Sequence, residues 1–166
     1  MNSEAKRIIA ILGLEPLPEE GGFFRRSWTG ETLAGRPSGT SILFLVTDEG
    51  FSALHRLTRD EVWHFHAGDA LEHLQLGPEP GAITVTTLGS NLLGGHSPQM
   101  IARAGSWQGA RLLSSPSTGR GWALVGCTMA PGWTDDVFEL GERARLLAAF
   151  PAAAERIAAL TRSVGF

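Results

Sequence analysis

Tyrosine is missing from this 166-residue chain, and cysteine occurs once. No phenol is therefore at hand as an acid, and Cys127 has no partner for an internal disulfide, which agrees with a reducing, cytoplasmic setting. The flanks Leu124-Val125-Gly126 and Thr128-Met129 read as a buried strand, so Cys127 is expected as a small core residue rather than a nucleophile. Long apolar runs are missing too. Nothing approaches the roughly 20 residues that cross a bilayer, and Glu4, Lys6 and Arg7 stand where a signal peptide carries a clean apolar stretch; no membrane is expected as a partner. Basic residues are few and scattered, 14 Lys and Arg against 17 Asp and Glu, for a net charge of −3. Without a basic stripe to neutralise phosphates, nucleic acid is not an expected partner. Internal repeats and low-complexity linkers are absent as well, and 43% hydrophobic residues suit a single domain over residues 1–166.

What is present is a change of periodicity along the chain. Residues 3–12 carry Ile8, Ile9, Ile11 and Leu12 between Ser3, a plausible N-cap, and Gly13, a stop, which predicts a short helix. From Gly21 to Val137 the pattern turns to short apolar or alternating runs broken by Gly, Pro, Asp and Ser, as in an all-β sandwich or barrel. Strands are predicted at 23–29, 40–47, 51–57, 62–66, 71–76, 82–87, 100–102, 106–113, 121–129 and 137–139, with hairpin loops at 77–81 and 114–119. Beyond Glu139, Ala, Leu, Arg and Glu dominate, and Leu146, Leu147 and Phe150 share one helical face. Pro151 splits this tail into two short helices, the second over 152–161.

The segment from Gly50 to Gly68 holds the candidate chemistry. Thr58-Arg59-Asp60 reads as a polar turn between two alternating runs, so His55 and Glu61 are expected to meet inside one hairpin. Period-two alternation puts Phe51, Ala53 and Leu57 on the face of His55, and Trp63 and Phe65 on the face of Glu61. A pocket built this way is mainly apolar with a few convergent polar groups, the general form of a small-molecule site. His64 and His66 turn to the outer face, and His73 and His96 read as surface or loop residues.

Gly50, His55, Glu61 and Gly68, followed by Gly105 and Gln108, resemble the two motifs of the cupin superfamily. Leu57 stands at the second histidine position of the first motif. In the second motif Arg103 replaces the proline, Gln108 the histidine and Leu112 the asparagine. Two of the four usual metal ligands are thus altered. Nearly the whole chain is similar to a group of single-barrel cupins of unknown function, the domain-of-unknown-function family 985 type. The likeness runs through Glu20-Gly21-Gly22-Phe23-Phe24-Arg25, Asp60-Glu61-Val62-Trp63-His64-Phe65 and Gly126-Cys127-Thr128-Met129-Ala130-Pro131-Gly132-Trp133.

The resemblance implies a mainly β fold: a single cupin jelly-roll β-barrel with a short N-terminal helix and C-terminal helices, commonly paired as a homodimer. It points Gln108 into the barrel, and by analogy with sugar-nucleotide epimerases it draws Phe23 and Arg25 toward a ligand. His55 and Glu61 are then the expected catalytic pair, with Phe23, Arg25, Phe51, Trp63, Phe65 and Gln108 binding the ligand. The first expectation for function is a site for a small polar metabolite, a sugar or sugar nucleotide, with metal-independent isomerisation or epimerisation by a His55 base. The alternatives are a non-catalytic binding or sensing module, and a weakly metal-dependent dioxygenase-like cupin with a divalent metal on His55, Glu61 and Gln108. A buried His–Glu pair that merely satisfies two polar groups is the plainest reading.

Overall fold

Both ends of the first helix, α1 (Ser3–Leu12), are set locally. Asn2 is the N-cap, one residue before the expected Ser3, and its side-chain oxygen accepts from the Ala5 amide at 2.9 Å; Gly13 ends the helix at φ +61°. The computed structural model of the chain describes residues 1–79, 81–113 and 119–162. Strands follow in chain order: β1 (Glu15–Pro16), β2 (Phe23–Thr29), β3 (Thr32–Leu33), β4 (Arg36–Pro37), β5 (Thr40–Thr47), β6 (Ser52–Leu57), β7 (Glu61–Gly68), β8 (Leu71–Leu76), β9 (Ile83–Leu88), β10 (Gln99–Ala102), β11 (Trp107–Leu112), β12 (Trp122–Met129) and β13 (Phe138–Leu140). The helices α2 (Arg143–Ala149) and α3 (Ala154–Ala159) close the described chain, separated at Pro151 by a 3-10 turn.

Two antiparallel sheets pack as a jelly-roll sandwich. One has the order β1-β2-β5-β12-β7-β10, the other β13-β6-β11-β8-β9, and β3 and β4 form a separate small hairpin. Between the sheets lies a core that includes Phe44, Val46, Trp63, Leu71, Ala110 and Val125. α1 covers the outer face of the first sheet through Ala5, Leu14, Leu45 and Trp122. The C-terminal helices cover the outer face of the second, where Leu146, Phe150, Ile157 and Leu160 bury Leu54, Leu74 and Leu76. Strands β6 and β8 are therefore almost without a solvent face. The loop at Gly77 joins β8 to β9 as expected, with the Gly77 amide donating to Ala82 at 2.8 Å. Pro80 and most of the expected 114–119 loop lie outside the described residues. Among the described residues, no helix is long and apolar enough to cross a membrane.

One expectation is corrected at this level. The strands carrying His55 and Glu61 do not form a hairpin: β6 pairs with β11 and β13, whereas β7 pairs with β12 and β10. The Thr58–Asp60 connection carries the chain from one sheet to the other, so the two residues approach each other across the sandwich.

Candidate active site

A cavity of about 430 Å³ opens between the sheets, within the size range of small-molecule sites. Strand pairing explains its lining. Phe24 lies opposite Phe44, Arg26 opposite Ile42, Cys127 opposite both Ile42 and Trp63, and Met129 opposite both Thr40 and Glu61. Partners directly across a ladder share a face, so the six-stranded sheet presents all of these to the cavity. The five-stranded sheet adds His55 and Leu57, and the approach to β13 adds Trp133, Asp135 and Phe138.

At the inner end Glu61 sits in a directed hydrogen-bond network. The indole Nε1 of Trp63 can only donate, and it reaches both Glu61 Oε2 and Gln108 Oε1 at 3.0 Å. This fixes the Gln108 amide: its nitrogen donates to Glu61 Oε2 at 2.9 Å, and its oxygen also accepts from His73 Nε2 at 3.3 Å. Glu61 Oε1 has no hydrogen bond among the described residues. Burial, reinforced by the charge of Glu20 and opposed by that of His55, pushes the Glu61 carboxyl up to about 7. A carboxyl in that range exchanges its proton near neutral pH. Burial acts on His73 in the opposite sense and lowers its imidazole to about 4, so it stands neutral behind Gln108.

His55 is 2% exposed and lines the same cavity. Its Nδ1 lies 2.8 Å from the Ala53 carbonyl, which can only accept, so Nδ1 carries a hydrogen, and in the neutral ring Nε2 is the nitrogen with the lone pair. The ring stacks on Phe138, with centroids 5.4 Å apart. Glu20 Oε2 approaches Nδ1 to 4.0 Å, and Glu20 Oε1 accepts from Ser52 Oγ at 2.7 Å. No hydrogen bond joins His55 to Glu61 among the described residues; each is held by its own set of neighbours.

Of the residues expected at the site, His55, Glu61 and Trp63 line the cavity, and Gln108 points inward as the partner of Glu61. Four others are not at its wall. Phe23 packs on the α1 side of the first sheet, and Arg25 approaches Gly13 at the end of α1; Phe24 and Arg26 face inward instead. Phe51 lies under the C-terminal helices, because β6 spends three residues from Ser52 to His55 where β11 spends two from Ala110 to Gln108. This β-bulge reverses the faces upstream of it, bringing Ser52 inward and sending Phe51 out. Phe65 is half-buried against the core without lining the cavity. His73, expected at the surface, is fully buried. His64 and His66 do face outward, half-buried and exposed respectively, and His96 is half-buried. Cys127 is buried as expected, at the cavity wall. Glu20, the residue nearest His55 Nδ1 in charge, carries no motif signal beyond the Glu20-Gly21-Gly22 segment.

The donor set does not suit a tightly held metal. Among the described residues, no three His, Cys, Asp or Glu side chains converge as a ligand set. Gln108 commits its oxygen to Trp63 and His73 and turns its N–H toward Glu61, so it offers no lone pair to an ion beside His55. Burial raises the Cys127 thiol well above its ordinary value, which opposes the thiolate a metal would need.

A family model described as the Cupin superfamily (DUF985) matches residues 6–141. The chain is similar to the solved structure of protein SO0799 from Shewanella oneidensis, at 36% identity and TM-score 0.86, with 98% of each chain covered. It is also similar to a hypothetical protein from Leishmania major, at 28% identity and TM-score 0.85, over 96% of this chain and 99% of that one. Oxalate decarboxylase from Bacillus subtilis shares the fold alone, at 15% identity and TM-score 0.56, over 89% of this chain and 37% of that chain. Among curated proteins nothing matches.

Proposed function

Because the chain belongs to the Cupin superfamily (DUF985) family, we propose that its cavity takes a small polar metabolite of sugar size and moves a proton on it without a metal. The observation that supports this most is the meeting, across one cavity, of an imidazole whose Nε2 makes no hydrogen bond among the described residues and a carboxyl that exchanges near neutral pH. His55 Nε2 takes a proton from a carbon beside a carbonyl while protonated Glu61 gives its own to the carbonyl oxygen, leaving imidazolium, carboxylate and an enediol. Transfer of the imidazolium proton to the neighbouring carbon, with the proton of the hydroxyl on the original carbon passing back to Glu61, gives the isomer. Transfer to the original carbon after the enediol has presented its other face, with the former carbonyl oxygen returning its proton to Glu61, gives the epimer, and either restores both groups. The Glu20 carboxylate lies 4.0 Å from Nδ1, and the aromatic and aliphatic lining limits water around the ring.

The test is solvent-deuterium incorporation into a panel of aldoses and ketoses, followed by NMR. Carbon-bound deuterium should appear with the intact protein and fall by about 10²-fold or more in His55→Ala; incorporation that survives in that variant removes His55 from the chemistry. A second reading, binding without turnover, is favoured by the way Trp63 and Gln108, backed by His73, fix Glu61 in place, and predicts thermal stabilisation by a sugar with no exchange. The dioxygenase-like alternative has no matching ligand set in these residues, and elemental analysis of tag-free protein is expected to give far less than one transition-metal ion per chain.

A further inference from the structure

We propose that the cavity selects ligands bearing an ammonium group: an amino sugar or a comparable small amine rather than a carboxylate or a phosphate. This rests on the small-molecule reading above and names the charge class of its ligand.

The first observation is the charge at the cavity. Glu19, Glu20 and Asp135 line it together with a single cation, Arg26. The side chains of Glu19 and Asp135 have no ion-pair partner among the described residues, and Glu20 has only the 4.0 Å approach to His55. Three carboxylates against one guanidinium give a formal charge of −2 around a low-dielectric opening, which raises the local concentration of cations and repels phosphates.

The second observation is the wall itself. Phe24, Phe44, Trp63, Trp133 and Phe138 contribute aromatic rings to one cavity. Cations already sit over aromatic rings at three places in this protein, Arg56 on Trp107, Arg120 on Trp122 and Arg162 on Phe51, and all three lie outside the cavity. Among the described residues no cation lies over a cavity ring; Phe44 and Trp63 are buried and Phe138 carries His55 on one face, which leaves Phe24 and Trp133 as the half-exposed rings of the wall. Rings with free faces next to carboxylates are the arrangement that binds ammonium groups.

A third observation is an open hydrogen-bonding position at the inner end of the cavity. Glu61 is 8% exposed and lines the cavity, and its Oε1 has no hydrogen-bond partner among the described residues. In the ionised form of the carboxyl, reached near pH 7, an ammonium N–H satisfies such an oxygen directly.

The experiment compares probes on one ring skeleton, glucosamine, glucose, glucuronate and glucose 6-phosphate, with choline as a ring-free cation. Each is titrated calorimetrically and by thermal shift at low salt, below the amine pKa. Glucosamine is expected to bind about tenfold or more tightly than glucose, with the two anions weakest. Combining Glu19→Gln with Asp135→Asn, two cavity carboxylates with no part in the proton transfer, should erase that preference while glucose affinity is kept. Anions that bind best, or glucosamine and glucose that bind alike, overturn the ammonium preference and leave the small-molecule reading intact. No binding by any probe, choline included, overturns both.

Discussion

Glu61 and His73 touch the same Gln108 side chain, yet burial moves them in opposite directions, and this sets their contribution to stability. The Glu61 carboxyl rises from 4.5 to about 7 on folding, so the folded state holds the extra proton in that window; its stabilisation is complete below about pH 4.5 and is lost as pH climbs through 7. His73 falls from 6.5 to about 4, so its contribution is complete above about pH 6.5 and is lost as pH drops toward 4. Each is worth up to about 3 kcal/mol, and between pH 4.5 and 6.5 the two slopes offset. Glu61→Gln keeps the shape and removes one slope. Relative to the unmodified protein, its Tm should be little changed near pH 4.5 and higher by several degrees at pH 8, and its own stability should rise steadily between pH 4 and 6.5. An equal Tm difference at both pH values would refute the buried-carboxyl account. Cys127 gives a second check on the same cavity: 4% exposed and with its thiol held protonated by burial, it should react with iodoacetamide far more slowly than a free thiol at pH 8. Labelling as fast as a free thiol would mean that the wall is open. His55 and Glu61 were legible as residues because their spacing carries a motif. His73 was not, since its burial depends on Trp63 and Gln108, which reach it from other strands across and along the sandwich.

Among elements, β6 does the most to shape the site. Its bulge leaves Ala53 and Leu54 without regular partners in β11, and their amides bond elsewhere, Ala53 to Glu20 at 2.9 Å and Leu54 to Leu160 at 2.8 Å. The Ala53 carbonyl, freed in the same way, holds His55 Nδ1. The bulge therefore ties the cavity loop, the C-terminal helices and the imidazole together. It also presses on β11: a Cβ on Gly109 would lie 2.9 Å from the Ser52 carbonyl and 3.1 Å from the Leu54 amide. Gly109→Ala should cost about 1–3 kcal/mol, because backbone must move. Gly126 makes an instructive control, since a Cβ there meets only the end of the exposed His66 ring, which can swing away; Gly126→Ala should cost under about 1 kcal/mol. Chemical denaturation of both variants checks the contrast, and equal costs would argue against a rigid bulge. Strand positions were well read from the sequence: 23–29, 40–47 and 71–76 agree to the residue with β2, β5 and β8. Strand faces were not. Phe23-Phe24-Arg25-Arg26 doubles each residue type, so alternation carries no information about which pair points inward, and a bulge leaves no mark in the run Phe51-Ser52-Ala53-Leu54-His55.

At the scale of the whole molecule, the C-terminal helices decide whether the sandwich stands alone. The family match ends at residue 141, before α2 begins, yet the outer face of the second sheet is apolar where α2 and α3 lie on it. Leu146, Phe150, Ile157 and Leu160 are all buried against Leu54, Leu74 and Leu76. Full burial of each such side chain contributes about 1.5–3 kcal/mol, so the four together supply on the order of 10 kcal/mol, comparable to the entire stability of an ordinary domain. The attachment is also polar. Glu72, almost buried on β8, accepts from Arg111 of β11 at 3.1 Å and from Arg156 of α3 at 3.4 Å, and Arg162 reaches the carbonyls of Glu19 and Glu20 beside the cavity. A chain truncated after Gly141 loses the Arg156 and Arg162 ties and bares three leucines on a sheet face, which favours association over folding. It should be recovered mainly as aggregate, or as a species without a cooperative thermal transition. The variant Glu72→Gln should keep the fold and lose only about 1 kcal/mol, because both arginines are partly solvated. A truncated protein that melts cooperatively within a few degrees of the full chain would show that the sheets hold their own core and that the helices are an appendage.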